Sequence, residues 1–307
     1  MWDISKLTEI HYLVNSLNMA YSRDIKDEIE SVTALQSLVD AYEEIASTRM
    51  KKTRDSVLVN REFLDEIGKI FDEVRRSYIN EVKRLARKRK SISGEKITFL
   101  AHNGKTVSVL LSSNTGLYGA IVKRTFDLFM DEVRSGSTEV TIAGRHGLAL
   151  FLDEEPTKPY TFFELPDYNV GTIELSDLIK HIVQYEEIHV FYGKFINVVK
   201  QDPTMLSVSA EISLEEEKPK VSEVTYLFEP SLEKILVYFE TEIFASLFEQ
   251  AVRESELAKY ASRFLAMDRA TGNIKEELKK LEFDDLRVRH GLVNRKQLNS
   301  MSNLYNR

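Results

Sequence analysis

Between Leu257 and Leu292 the chain repeats a three-then-four step: Leu257, Tyr260, Phe264, Met267, Thr271, Ile274, Leu278, Leu281, Asp285, Val288, Leu292. Only Thr271 and Asp285 interrupt its apolar character. The alternation is a period of about 3.5 residues, which keeps one stripe of a helix against a partner helix in a left-handed supercoil. From Glu254 to Asn273 there is no Pro and one Gly, so the segment reads as continuous helix. At 1.5 Å per residue the stripe would run for roughly 50 Å, and it needs cover along that length.

The first part, about Ile4 to Lys90, also reads as helix: it has no Pro, and Gly68 is its only Gly. Apolar residues recur at helical spacing at Leu35, Leu38, Tyr42 and Ile45, then at Leu64, Ile67, Phe71, Val74, Tyr78, Val82 and Leu85. Two amphipathic helices at opposite ends of one chain can cover each other's seams if they pair antiparallel around a compact middle.

That middle follows a basic stretch, Lys83 to Lys90, which reads as a solvated helix end favoured by the macrodipole. Ile97 to Leu100 and Thr106 to Leu111 flank Asn103-Gly104, a hairpin signal. A helix over Tyr118 to Val133, a strand over Glu139 to Ile142, a helix over Ser176 to Gln184 and a strand over Glu187 to Tyr192 predict a largely parallel layer. Phe195 to Val199, Met205 to Ile212 and Val224 to Phe228 read as later strands, and Leu214 to Lys220 as an exposed acidic loop. From Pro230 the last helix starts, supported by Ser231 or Glu233. The expected fold is α/β, an antiparallel coiled coil of long N- and C-terminal helices with a central Rossmann-like α/β domain. Its parts are an N-terminal helical region (1–92), the central domain (93–229) and the C-terminal shaft helix (230–307).

A net charge of -7 disfavours nucleic acid as a partner. No run approaches the roughly 20 apolar residues that span a bilayer. The start, Met1-Trp2-Asp3-Ile4, lacks the basic region and apolar core of a secretory signal, so the chain is not expected to be secreted. There is no Cys, hence no thiol chemistry, and the six His show no metal-ligand spacing. Gly116-Leu117-Tyr118-Gly119 sits between a strand and a helix, where a phosphate loop would lie, but lacks the glycine spacing and the Lys-Ser/Thr pair. A tight turn is the better reading there, with no catalytic residue, cofactor or metal assigned to this chain.

Four collinear motifs carry a family resemblance. The first is Ser31-Val32, Gln36, Ala46-Ser47 and Arg49-Met50-Lys51-Lys52. Ser112 to Gly119 (Ser-Ser-Asn-Thr-Gly-Leu-Tyr-Gly) and Ile142 to Gly147 follow. Last come Ser255-Glu256, Ala261-Ser262-Arg263, Ala266-Met267, Ala270-Thr271 and Asn273. In order and separation the set resembles the gamma subunit, the central rotor shaft, of F-type ATP synthases and ATPases. The resemblance implies a non-catalytic shaft inside a ring of alpha- and beta-type subunits, which carry ATP and magnesium. It further implies an epsilon-like stalk subunit, an attached membrane ring or other membrane complex, and a peripheral place on the cytoplasmic side of the membrane.

Carried over by position, Arg49, Met50, Lys51, Lys52, Arg263, Met267, Arg289, His290 and Asn294 become the contacts to the ring. Leu257, Tyr260, Phe264, Ile274, Leu278, Leu281, Val288 and Leu292 become the seam. His290, Asn294, Asn114-Thr115 and Tyr118 depart from the family pattern. A leader with Ile4, Leu7, His11, Val14 and Leu17 at helical spacing precedes the first motif. These departures imply a divergent, F-type-like paralogue whose hydrolysis drives a task such as motility or export. Two other readings compete. A coiled-coil adaptor with an α/β head would oligomerise through the Leu257 to Leu292 seam, whereas the rotor would satisfy that seam internally. An α/β enzyme centred on Gly116 to Gly119 would be stabilised by nucleotide.

Overall fold

The computed structural model describes residues 4–77, 92–93, 96–97, 103–208, 212–213 and 231–305. The basic stretch Lys83 to Lys90, the acidic loop, the strand expected at Val224 to Phe228, and Pro230 lie outside these residues, as do the leader's side chains. Two 74-residue helices frame the chain, α1 (Ile4–Ser77) and the last helix (Leu232–Tyr305). Between them lie α2 (Ile121–Ser135), α3 (Arg145–Glu154) and α4 (Thr172–Ile182), so the last helix is α5. The strands are β1 (Ile92–Ser93), β2 (Lys96–Ile97), β3 (Thr106–Leu111), β4 (Glu139–Ala143), β5 (Tyr160–Phe163), β6 (Glu187–Phe195), β7 (Gln201–Val208) and β8 (Ile212–Ser213). The chain divides into two compact units: Met1–Ile45 with Ala266–Arg307, and Ala46–Leu265. Both long helices contribute to each.

In the first unit the helices run antiparallel. Thr271 donates to Asp40 at 3.2 Å, and Tyr21 shares a groove with Val288 and Gly291. Val39, Met267 and Ile274 form the buried core. In the second unit the pairing is again antiparallel: Arg49 meets Tyr260, Asn60 meets Gln250, and the Phe71 and Phe239 rings lie 5.8 Å apart.

Every residue of the Leu257 to Leu292 stripe is buried or half-buried, and its apolar cover comes from the same chain. The matching stripe of α1 is only partly the one expected: Leu64, Ile67 and Phe71 are covered and Tyr42 is half-buried against the core, but the rest differs. Leu35, Leu38 and Ile45 are exposed. The covered positions are Ile25, Ile29, Val32, Gln36, Val39, Glu43, Ala46, Met50, Thr53, Val57, Asn60, Leu64, Ile67 and Phe71. They also step by three and four, one position out of phase with the exposed leucines. Polar residues at four of these steps hide the stripe from a purely apolar count.

The central sheet has the order β5-β4-β3-β6-β7. Its first three pairings are parallel and β6–β7 is antiparallel. This is the doubly wound order of a Rossmann-like sheet with an antiparallel edge. Period-two alternation sends Val107, Val109 and Leu111 to one face, against α4 and the Phe244 to Val252 part of α5. Leu110, Ile142 and Phe191 face α2 and Phe151 of α3 on the other.

β3 is hydrogen-bonded on both sides to parallel neighbours, which leaves no edge for the expected hairpin with Ile97 to Leu100. β2 instead pairs with β1 and β8 in a small antiparallel sheet. Of the strand expected at Phe195 to Val199 only Phe195, the last residue of β6, is strand; the rest is a turn, because Asn197 Oδ1 accepts the backbone N–H of Val199 and Lys200 and reverses the chain. At the start of α5, Ser231 Oγ accepts from Lys234 N at 3.4 Å.

Candidate functional site

The second unit brings α1, α5 and two loops together at the carboxyl ends of β3 and β5. The loop after β3 (112–120) is held open by the loop after β5 (164–171). Asp167 Oδ1 accepts from Asn114 N at 2.7 Å, and Oδ2 accepts from Thr115 N at 3.0 Å and Thr115 Oγ1 at 2.8 Å. Asn114 donates to the Leu165 carbonyl at 2.6 Å and accepts from Arg145 N at 3.0 Å, at the first turn of α3. The backbone N–H groups that would cradle a phosphate are thus already donated to an internal carboxylate.

Arg263 closes the loop from the other side. Its Nε donates to Leu117 O at 3.0 Å and its Nη2 to Gly116 O at 2.7 Å. Its guanidinium carbon lies 3.7 Å from the Tyr118 ring centroid. Leu117 is left-handed at φ 65°, a bulky residue in a region that suits Gly, and its side chain is exposed. Gly119 is also left-handed, at φ 60°, and a Cβ there would stand 2.6 Å from Ser262 Oγ. The loop therefore lies directly on α5.

Tyr260 joins the loops to α1. Its hydroxyl donates to Asp167 O at 3.0 Å and accepts from Arg49 Nη1 at 3.0 Å. Its ring meets Tyr118 and Tyr168 edge-on, and the Arg49 guanidinium lies 4.6 Å over Tyr168. Burial pushes the Tyr118 and Tyr260 hydroxyls well above the usual phenol range. Lys259 donates to Ser112 O at 2.9 Å, and burial lowers its ammonium's pKa against the pull of Asp167 and Glu256. Glu256 Oε1 accepts from Thr53 Oγ1 at 3.1 Å and from Asn169 N at 3.2 Å. Glu254 Oε1 accepts from Arg61 Nη2 at 2.6 Å and Gln250 Nε2 at 2.7 Å.

The residues assigned to ring contacts thus divide. Arg49 and Arg263 belong to this internal cluster, and Met50 packs half-buried beside it. Met267 is buried in the core of the first unit. Lys51, Lys52, His290 and Asn294 are exposed, as is Arg289, which pairs with Asp285 at 2.5 Å. Asp167, Lys259 and Thr53 were not singled out by the sequence, and Glu256 entered only as part of the Ser255-Glu256 motif. The available signal was the small-residue series Ser255, Ala258, Ala261 and Ser262, which lets neighbours approach α5 from all sides and buries Glu254 to Arg263 entirely.

The family model described as ATP synthase matches residues 21–292. The chain belongs to that family. Its curated relatives are gamma chains. That of Chloroherpeton thalassium is 25% identical over 304 residues, covering 91% of this chain and 96% of its own length. That of Chloroflexus aurantiacus is 27% identical over 296 residues, covering 90% and 94%. Among solved structures, the rotor of the Euglena gracilis mitochondrial ATP synthase superposes with a TM-score of 0.62 at 14% identity, covering 89% of this chain and 99% of that one. The central stalk and c-ring of the Tetrahymena thermophila enzyme gives 0.55 at 17%, covering 76% and 99%. These likenesses establish the gamma fold, and the family match begins just after the leader.

Proposed function

We propose that this gamma-type chain is the rotor of an F-type ATPase, turning inside a ring of alpha- and beta-type subunits that bind ATP and magnesium. The observation that carries this reading is the covered seam. In each unit the α1 and α5 stripes close on each other, so the coiled coil needs no second copy. An adaptor that oligomerised through Leu257 to Leu292 would leave that stripe open. At the Gly116 to Gly119 turn, Arg263 and Asp167 take the positions a nucleotide phosphate and its counter-charge would need.

In this reading an epsilon-like subunit completes the stalk, which couples to a membrane ring on the cytoplasmic side. No helix among the described residues is long and apolar enough to cross a membrane, so anchoring falls to the partners. Exposed Lys51, Lys52, Arg289, His290 and Asn294 face the ring, while Arg49 and Arg263 act from within. Affinity purification of the chain from its own cells tests the reading. Stoichiometric alpha- and beta-type subunits with ATP hydrolysis support it; the chain alone, or as a homo-oligomer, contradicts it. A co-purifying membrane ring identifies a synthase-type machine; its absence identifies a specialised ATPase serving motility or export.

A further inference from the structure

The carboxyl ends of parallel strands are where doubly wound sheets receive ligands. Here that crevice is closed by α5. What remains is a cavity of about 20 Å³ beside Ser112, Ala143, Leu165, Ser255, Glu256 and Lys259. Two of its walls carry charge. Glu256 is 2% exposed, and its Oε2 accepts no hydrogen bond, its nearest cation being Arg253 with Nη1 at 3.8 Å. Lys259 is 9% exposed and makes one direct hydrogen bond, to Ser112 O, with Asp167 Oδ1 at 4.0 Å. An ammonium has three N–H donors, and a dry carboxylate oxygen that accepts no hydrogen bond is penalised. A void of this size holds a single water, provided polar partners line it.

We infer that the crevice is a receptor for a primary ammonium, filled from within by Lys259, with one buried water joining Lys259 Nζ to Glu256 Oε2. The carbonyl of Ser112 at 2.9 Å, Asp167 Oδ1 at 4.0 Å and the Glu256 carboxylate in the same cavity wall are the acceptors offered to one small cation. The unbranched stem of Lys259 lies among the apolar walls. A guanidinium would be too broad for the remaining space, and Arg263 is already engaged one turn away by the loop carbonyls. Emptied of its lysine, the site would take a straight-chain primary alkylammonium in place of the side chain.

Chemical rescue of Lys259→Ala in the full-length chain tests this. Saturating n-propylammonium, the three-carbon amine that alanine's Cβ leaves room for, restores at least half of the lost Tm, propan-1-ol and tetramethylammonium do not, and the amine leaves the unsubstituted chain unchanged. Equal rescue by the alcohol, or no rescue of a folded variant, overturns the proposal. Should the variant not fold, an atomic-detail map of the unsubstituted chain decides. One water bonded to both Nζ and Oε2 upholds it, and a dry cavity or a direct Nζ–Oε2 bond refutes it.

Discussion

Truncating Arg263 to Ala removes the fork that holds the 115–117 loop on α5. Two carbonyls, Gly116 O at 2.7 Å and Leu117 O at 3.0 Å, lose a charged donor in a part-buried setting. Each such bond contributes about 1.5–3 kcal/mol, although water can reach carbonyls of residues as exposed as Gly116 and Leu117. The stack on Tyr118, desolvated at 3.7 Å, adds about 2 kcal/mol. These losses are not additive. The freed loop also lets Leu117 leave its left-handed conformation, which returns about 1 kcal/mol or more. The net expectation is a loss of about 3–5 kcal/mol, within the range for breaking a buried charged network. Arg263→Lys keeps the charge on one carbonyl but loses the fork and the planar stack, so it should lose about half as much. Urea unfolding of the full-length chain followed by far-UV circular dichroism gives both numbers; with m of about 3 kcal/mol/M, the Ala midpoint falls by about 1 M or more. A loss below about 1 kcal/mol for Ala, or equal losses for Ala and Lys, would refute the fork as the tie between loop and helix.

Three further perturbations probe other parts of the account. Gly119→Ala meets Ser262 Oγ at 2.6 Å and a disfavoured φ of 60°, and should cost about 2–3 kcal/mol by urea unfolding. Adding Ser262→Ala should recover the steric share but not the conformational one. Ile274→Ala, at 8% exposure, should lose about 2–4 kcal/mol, whereas Leu35→Ala, at 49%, should stay within about 0.5 kcal/mol; equal losses would contradict the assigned register. Glu139 is held below the usual carboxylate range by Lys105 and then Tyr185. A depressed folded pKa gives stability that is present above the unfolded value of about 4.3 and is lost as pH falls through the folded one. Glu139→Gln should therefore flatten the acid limb of Tm against pH below about 4.3 and leave its shape near neutral pH unchanged. The half-exposed pair keeps the effect small.

The C-terminal seam was legible because apolar residues occupy nearly every step from Leu257 to Leu292, and burial follows them residue by residue. The N-terminal seam was legible only in part, at Leu64, Ile67 and Phe71. Gln36, Glu43, Thr53 and Asn60 interrupt it, and in the second unit Thr53 and Asn60 are satisfied by Glu256 and Gln250 rather than by apolar packing. A stripe whose polar members find partners across the helix pair is invisible to a hydropathy count. Leu35, Leu38 and Ile45, one position away, supplied a false but regular signal. The parallel layer was readable from strand-helix alternation, while β5 was missed as a four-residue, half-exposed edge strand. In the cluster, Arg49, Arg263 and Glu256 lay in the family motifs, and Tyr260 in the periodic seam. Asp167 and Lys259 belong to no local pattern, because their partners lie about 50 to 150 residues away in sequence and meet only once the sheet is wound.

The most direct test of the rotor claim is to watch the chain turn. The sequence has no cysteine, so a single exposed substitution, Lys194→Cys on β6, carries a bead on the α/β domain with no competing thiol. The complex purified from native cells is fixed through its alpha- and beta-type subunits and given ATP and magnesium. The account predicts unidirectional rotation of the bead that stops when ATP is withdrawn. A complex that hydrolyses ATP at full rate while the bead on Lys194→Cys stays still would contradict it.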